Sequence, residues 1–242
     1  MRGPSPEVER FAAVVQRDEA DLPLDVAALL IGDWEHEGFD VEPHQRALDA
    51  LADRSAAAVV AAATPAEAGQ ALAATLFGAL GFRGNTNDYY DPRNSFLTEV
   101  LARKVGIPIS LSVLYLEVAR RIGIPAAGVA FPGHFLVRVD QAREPLILDP
   151  FGGGAALDRS ALQTLLARAS GPDARLDDVS LAPTPKRAIL IRMLNNLAGI
   201  YGSTGETLRS LEVLERLAVL DPSDVRIAAS LERLRRLVAS LN

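Results

Sequence analysis

Residues 105–126 read VGIPISLSVLYLEVARRIGIPA, and the tripeptide GIP stands at both ends, at 106–108 and again at 123–125. Between the copies, from about Ser110 to Ile122, Leu111, Leu114, Tyr115, Val118, Ala119 and Ile122 form a complete stripe at helical spacing. Val113 and Leu116 add a second apolar side, so the helix is expected to be central and largely buried. Arg120 and Arg121 suit its C-terminus, and Gly123 can close it in the left-handed conformation. The preceding segment, SFLTEVLARKV (95–105), is a helix of the same design. Asn94 or Ser95 is its expected N-cap, Arg103 and Lys104 its cationic end, and Gly106 its left-handed stop. Locally, then, both copies of GIP end helices.

Upstream, the first eighty residues read as helical. Pro6 opens EVERFAAVVQRD, PLDVAALLIGDWEHE carries apolar residues at helical spacing, and Pro43 and Pro65 open two more helices, the second ending near Gly78 to Gly81. The composition then changes: GFRGNTNDYYDPRN (81–94) is loop chemistry. Its paired tyrosines, Tyr89 and Tyr90, are expected to anchor the loop on the core, with ligand contact as the alternative.

Downstream, the period shortens to that of strands in AAGVAF (126–131), HFLVRV (134–139) and PLILDPF (145–151). A hairpin around the polar stretch DQARE (140–144) pairs Val139 with Glu144 and therefore His134 with Asp149. A slip of one residue would put that histidine and that carboxylate on opposite faces. Gly152, Gly153 and Gly154 lack the Gly-Lys-Ser/Thr of a phosphate loop and are expected to be a flexible exit from the strand. A helix at SALQTLLARAS leads to the proline-bearing linker GPDARLDDVSLAPTPKR (171–187). Beyond it, Leu197, Tyr201, Gly205, Leu214 and Pro222 fall at the spacing of a tetratricopeptide helix pair, and VRIAASLERLRRLVASL is amphipathic. One repeat and a helix are too few to stand alone, so these helices are expected to pack on the main domain. The class is α+β. The expected division is 1–182, helical over 1–80 with a core at 81–182, followed by C-terminal helices at 183–242.

Composition narrows the functions. Apolar residues make up 49% and charged residues 23% of 242, a globular balance. The formal charge is −6 with no basic run, which argues against nucleic acid as a partner. No uninterrupted apolar stretch approaches the roughly 20 residues of a membrane span, and the N-terminus has no signal-like apolar core, so a cytoplasmic protein is expected. Cysteine is absent, which excludes disulfides and thiolate chemistry alike.

Of three histidines, His36 and His44 lie in polar surroundings without metal-ligand spacing and read as surface residues; no metal or cofactor is expected. His134 follows Pro132 and Gly133 at the start of an apolar strand. With Asp149 it forms either a structural pair or the base and orienter used in nucleophilic catalysis. Ser110, at the start of the buried helix, is the candidate nucleophile, but the same place suits a capping serine; Ser112 and Ser95 are weaker candidates.

A helix ending in ARRIGIPA, then GHFLVRV, then LDP closing the next strand resembles the core of the transglutaminase-like superfamily. The longer run NTNDYYDPRNSFLTEVLARKVGIPISLSVLYLEVARRIGIP, with FPGHFLVRV and LILDPF, is similar to SirB-type transglutaminase-like proteins of bacteria, which carry C-terminal tetratricopeptide-like helices. The resemblance covers residues 80–151. It implies a transglutaminase-like (papain-like) core with a small antiparallel sheet, His134 at the catalytic histidine and Asp149 at its aspartate. The superfamily's cysteine falls on Pro108, or on Ser110 after a small shift, and neither is a thiol. The expectation is therefore a non-catalytic protein with a binding or regulatory role. Its cleft would be lined by Asp88, Tyr89, Tyr90, Arg93, Asn94, Pro108, Ser110, His134 and Asp149, and it would meet a protein or peptide partner through cleft and C-terminal helices. The alternative is a cysteine-independent hydrolase or acyl transferase using Ser110, His134 and Asp149.

Overall fold

Ser5 caps the first helix in the computed structural model, which describes residues 5–36 and 38–240. Its hydroxyl accepts the Val8 N–H at 3.3 Å and Pro6 holds the first turn of α1 (Pro6–Val15). The next helix, α2 (Leu24–Leu29), is shorter than its apolar spacing predicts. Gly32 turns the chain at φ 102°, where a Cβ would lie 2.5 Å from the Phe96 ring, and a 3₁₀ turn at Asp33–Glu35 follows. Helices α3 (Glu42–Val60) and α4 (Pro65–Ala73) each carry proline in the first turn, as the sequence predicts, and α4 runs on into a π-helical segment, Ala74–Ala79.

The 81–94 loop is tied down where β1 (Arg83–Gly84) pairs in parallel with β2 (Val105–Gly106). Between them lies α5 (Leu97–Arg103), and here the local signals mislead. Phe96 precedes it without a side-chain cap, so neither Asn94 nor Ser95 caps it. Lys104, at φ 59°, makes the left-handed turn expected of Gly106. Gly106 is needed for space instead: a Cβ there would lie 2.7 Å from Ser110 Oγ. Helix α6 (Pro108–Arg121) starts two residues before Ser110 and is buried from Pro108 to Ala119. Gly123, at φ 77°, closes it as expected.

Strands β3 (Ala126–Val129), β4 (Leu136–Val139), β5 (Leu146–Asp149) and β6 (Ala155–Ala156) form an antiparallel sheet in chain order. The hairpin register differs from the counted one. Val139 faces Leu146 and Val137 faces Leu148, so paired numbers sum to 285 rather than 283. Pro145 has no N–H for the ladder, and pairing starts one residue beyond it. Because side chains alternate, a two-residue slip leaves His134 and Asp149 on one face. The glycines are a built reversal rather than a loose exit: Gly153 and Gly154 take φ 78° and 77°, and the Gly154 N–H bonds back to Asp149 O at 2.8 Å. Strand β6 follows directly.

One sheet face, with Val137, Val139 and Leu148, joins the core around α6. The other, with Val129, Leu136 and Ile147, packs on Leu162 and Leu166 of α7 (Arg159–Ser170). The last three helices are α8 (Lys186–Thr204), α9 (Thr207–Leu220) and α10 (Val225–Ser240). Ile189, Leu190, Met193, Leu194 and Leu197 of α8 belong to the same apolar cluster as α6. Gly205, at φ 75°, ends α8, and α9 folds back along it and against α1. No helix among the described residues is long and apolar enough to cross a membrane.

A buried ion pair seats α9. Arg216 and Asp33 have fully buried side chains 2.5 Å apart, Arg10 reaches the other Asp33 oxygen at 2.7 Å, and the Arg216 guanidinium lies 4.3 Å from the centre of the Trp34 ring. Removing one partner of such a pair strands the other charge away from water. Asp33→Ala is therefore expected to lower unfolding free energy by about 3–5 kcal/mol in urea denaturation. Arg46→Ala, which breaks the exposed pair with Glu42, is expected to cost less than about 1 kcal/mol.

Candidate functional site

His134 sits just ahead of β4, after Gly133, whose φ of 66° turns the chain and whose missing Cβ makes room for Ala169 at 2.8 Å. The imidazole Nε2 meets Asp149 Oδ1 at 2.8 Å, with the two side chains 11% and 16% exposed. Extending the observed register puts Phe151 opposite His134 and Asp149 opposite Leu136, so the pair is a diagonal contact. Asp149 is held from behind, because Oδ1 also accepts the Phe151 N–H at 3.0 Å. A Cβ at Gly152 would lie 2.7 Å from Oδ2, so only glycine leaves the carboxylate its place. With Nε2 committed to Asp149, Nδ1 is the ring nitrogen without a partner among the described residues.

A depression of about 30 Å³ opens beside this histidine. Tyr89 from the loop forms one wall, Pro108 and Ile109 at the start of α6 another, and Gly133, His134 and Phe135 a third. The fourth wall is Arg192 and Asn196, one turn apart on α8. An aromatic run leads away from it. His134 and Phe151 meet edge to face at 6.0 Å, Phe151 and Tyr89 at 6.0 Å, and Tyr89 and Tyr90 at 5.3 Å.

Of the expected lining residues, Tyr89, Pro108 and His134 border this depression, with Asp149 directly behind. The other expected lining residues do not. Asp88 is exposed, its N–H held by Asn85 Oδ1 at 3.0 Å, and Arg93 is committed to Asp91 at 2.8 Å. Tyr90 is 75% exposed, so it does not anchor the loop on the core. Asn94 is fully buried and shapes the loop from inside, donating to Asp88 O at 2.7 Å and Tyr89 O at 3.3 Å. Ser110 is turned the other way. Its hydroxyl donates to Asn94 O at 2.6 Å and accepts the Ile107 N–H at 3.1 Å, which is half of a capping box made from inside the helix. No bond joins it to His134. Ser112 reaches Phe135 O at 3.4 Å, Ser95 Oγ is buried without a partner among the described residues, and neither lines the depression.

Arg192 and Asn196 were not expected from sequence. Their signal is two polar side chains at i and i+4 within the apolar stretch of α8, and it is readable only once α8 is known to lie beside the sheet. Arg192 Nη2 donates to His134 O at 2.5 Å and to Phe131 O at 3.3 Å, and its guanidinium lies 5.4 Å from the centre of the Phe135 ring. Burial pulls its pKa below the ordinary arginine value, with Tyr89 opposing. His36 and His44 lie elsewhere, each with its ring stacked on Phe39, at 6.4 and 5.5 Å. Among the described residues no group of three or more acidic or histidine side chains is arranged to hold a metal.

The model of a transglutaminase-like superfamily domain matches residues 42–195, from the start of α3 into α8. A UPF0162 protein of Xylella fastidiosa is 39% identical over 209 residues, covering 85% of this chain and 74% of its own. Protein SirB1 of Salmonella typhimurium is 26% identical over 154 residues, 63% of this chain and 57% of its own. F-box only protein 21 of Mus musculus is 50% identical over 76 residues, 31% of this chain and 12% of its own. No solved structure matches significantly.

The contacts of Ser110 separate a capping role from a catalytic one. Ser110→Ala removes the hydroxyl's bonds to the Ile107 N–H and the Asn94 carbonyl, leaving them only their 3.4 Å bond to each other, and is expected to cost about 0.5–1.5 kcal/mol in chemical denaturation. The ring signals of His134 in a histidine NMR spectrum are expected to keep their positions. A displaced His134 signal in a variant of unchanged stability would reverse the assignment.

Proposed function

We propose that this chain is a non-catalytic binding protein, on the premise of its family: it belongs to the transglutaminase-like superfamily, among its SirB-type members. One observation carries the reading. The base and its orienter are in place at 2.8 Å, while the residues that line the depression from the start of α6 are Pro108 and Ile109, neither of which carries a nucleophile. Proline has neither a nucleophile nor an N–H to offer an oxyanion. The same lining favours Pro108 over Ser110 as the position where the superfamily keeps its cysteine, since Pro108 lines the depression and Ser110 does not. The serine-based alternative lacks support, because the Ser110 hydroxyl is spent on Asn94 and Ile107.

In this reading the cleft beside His134 holds part of a peptide or a small polar ligand. The helix hairpin of α8 and α9 with α10 presents a second surface, in the manner of tetratricopeptide helices, and the role is regulatory and cytoplasmic. The purified chain is expected to show no ester or amide hydrolysis and no amide transfer above the buffer rate. Turnover that disappears in His134→Ala would overturn the reading.

The placement of Pro108 has its own test. Pro108→Cys puts a thiol opposite an imidazole, and a thiolate next to His⁺ is stabilised. Its alkylation by iodoacetamide is expected to follow an apparent pKa below the free-cysteine value of about 8.5. Adding His134→Ala is expected to move that midpoint back up. Equal midpoints in the two variants would place the nucleophile position elsewhere.

A further inference from the structure

Tyr89, His134, Arg192 and Asn196 line the depression, and no carboxylate joins them. The guanidinium is fixed in place by two main-chain carbonyls and the Phe135 ring, yet its Nε–H has no protein acceptor among the described residues. It has no acidic partner there either. Two more arginines drawn into the fold are treated differently: Arg121 meets Asp25, Asp49 and Glu117, and Arg216 meets Asp33 and Glu212. Among the described residues the carboxamide of Asn196, the phenol of Tyr89 and Nδ1 of His134 are likewise without hydrogen-bond partners. Asp149, the carboxylate behind the depression, is occupied by His134 and the Phe151 N–H. A half-buried cation with no counter-charge, ringed by unengaged polar groups, is an incomplete ion pair.

Resting on the binding reading above, the geometry points to a ligand carboxylate as the missing partner of Arg192, seated against Asn196 and His134. Size and charge select the class. About 30 Å³ is room for roughly two waters, which a carboxylate would displace, and a single guanidinium matches a single negative charge. A phosphate dianion brings more charge and more bulk than this floor provides. The aromatic run through Tyr89 and Phe151, with Tyr90 75% exposed at its outer end, gives the stem of such a ligand an apolar surface to lie along. A peptide C-terminus and a glutamate or aspartate side chain both supply this chemistry.

The test follows the Arg192 Nε–H signal of the ¹⁵N-labelled full chain and, there and in the Arg192 variants that lack it, the Phe135 backbone amide signal. The probes are N-acetyl-alanyl-phenylalanine as the free acid, the same dipeptide as its amide, N-acetylglutamate α-N-methylamide, and inorganic phosphate at matched ionic strength. At least one acid is expected to bind about tenfold or more tightly than the amide, the scale of a charge-assisted hydrogen bond. The tighter acid tells a chain terminus from a side chain. Arg192→Gln is expected to abolish the difference between acid and amide, and Arg192→Lys to retain part of it. Equal binding of acids and amide, phosphate binding more tightly than either acid, or no shift with any probe up to millimolar concentration would each overturn the inference. The acid–amide contrast in the unsubstituted chain decides the matter even if Arg192→Gln folds poorly. Hydrolysis of the amide during the titration would instead overturn the non-catalytic reading and leave the anion anchor standing.

Discussion

Helix α6 has no side left for water. With every residue from Pro108 to Ala119 buried, the rest of the chain is arranged to cover it: α2, α3, α4 and α5 along its flanks, strands β3 and β4 across it, and α8 beyond. Each polar group on α6 then needs a partner inside the protein. Tyr115 donates to Gly69 O at 2.8 Å, an approach a Cβ at Gly69 would crowd. Ser110 takes Asn94 O, and through Asn94 it joins the start of α6 to the loop that carries Tyr89. The burial that stabilises the core therefore also positions one wall of the cleft.

The charged end of α6 follows the same rule. Burial and the nearby Asp25 carboxylate push the pKa of Glu117 up, and Arg120 and Arg121 draw it back. Burial works to raise Asp25 as well, but the bonds from Arg121 and the Val26 N–H outweigh it and hold Asp25 below its ordinary value. Arg121 bridges both carboxylates and Asp49, which ties α2 and α3 to α6. At the opposite end of the helix Arg192 bonds only carbonyls. The two ends of one buried helix thus differ in electrostatic completeness, and the incomplete end is the one beside the His134–Asp149 pair.

Much of this was legible where a local signal and the tertiary outcome agree. The apolar stripe of 111–122, the stop at Gly123, the Pro6 and Pro65 helix starts and the strand segments all read correctly. The His134–Asp149 contact was legible for a more general reason. A two-residue error in register cannot move side chains between faces, so a wrong pairing still placed them together. The misreadings occur where two local options compete. Gly106 looks like a helix stop, but the β1–β2 pairing needs the turn one position ahead of β2, so Lys104 takes it and Gly106 yields its space to Ser110. Arg192 was not legible beside His134, because 58 residues separate them and only the packing of α8 joins them.

That packing also bears on how the C-terminal helices can be treated. In sequence they follow a proline-bearing linker that reads as a boundary, yet they are too few to stand alone and are expected to pack on the main domain. In the fold, Ile189, Met193 and Leu197 fill the core around α6, while Arg192 and Asn196 on the same helix close the cleft. A chain cut before residue 186 would lose core and cleft wall together, so a loss of binding on truncation cannot be assigned to the repeat alone. Substitutions on α9 and α10 at exposed apolar positions, such as Leu208 at 67% and Leu237 at 47%, lie outside both. They are the changes that separate a surface contribution of the helices from the contribution α8 makes to the site.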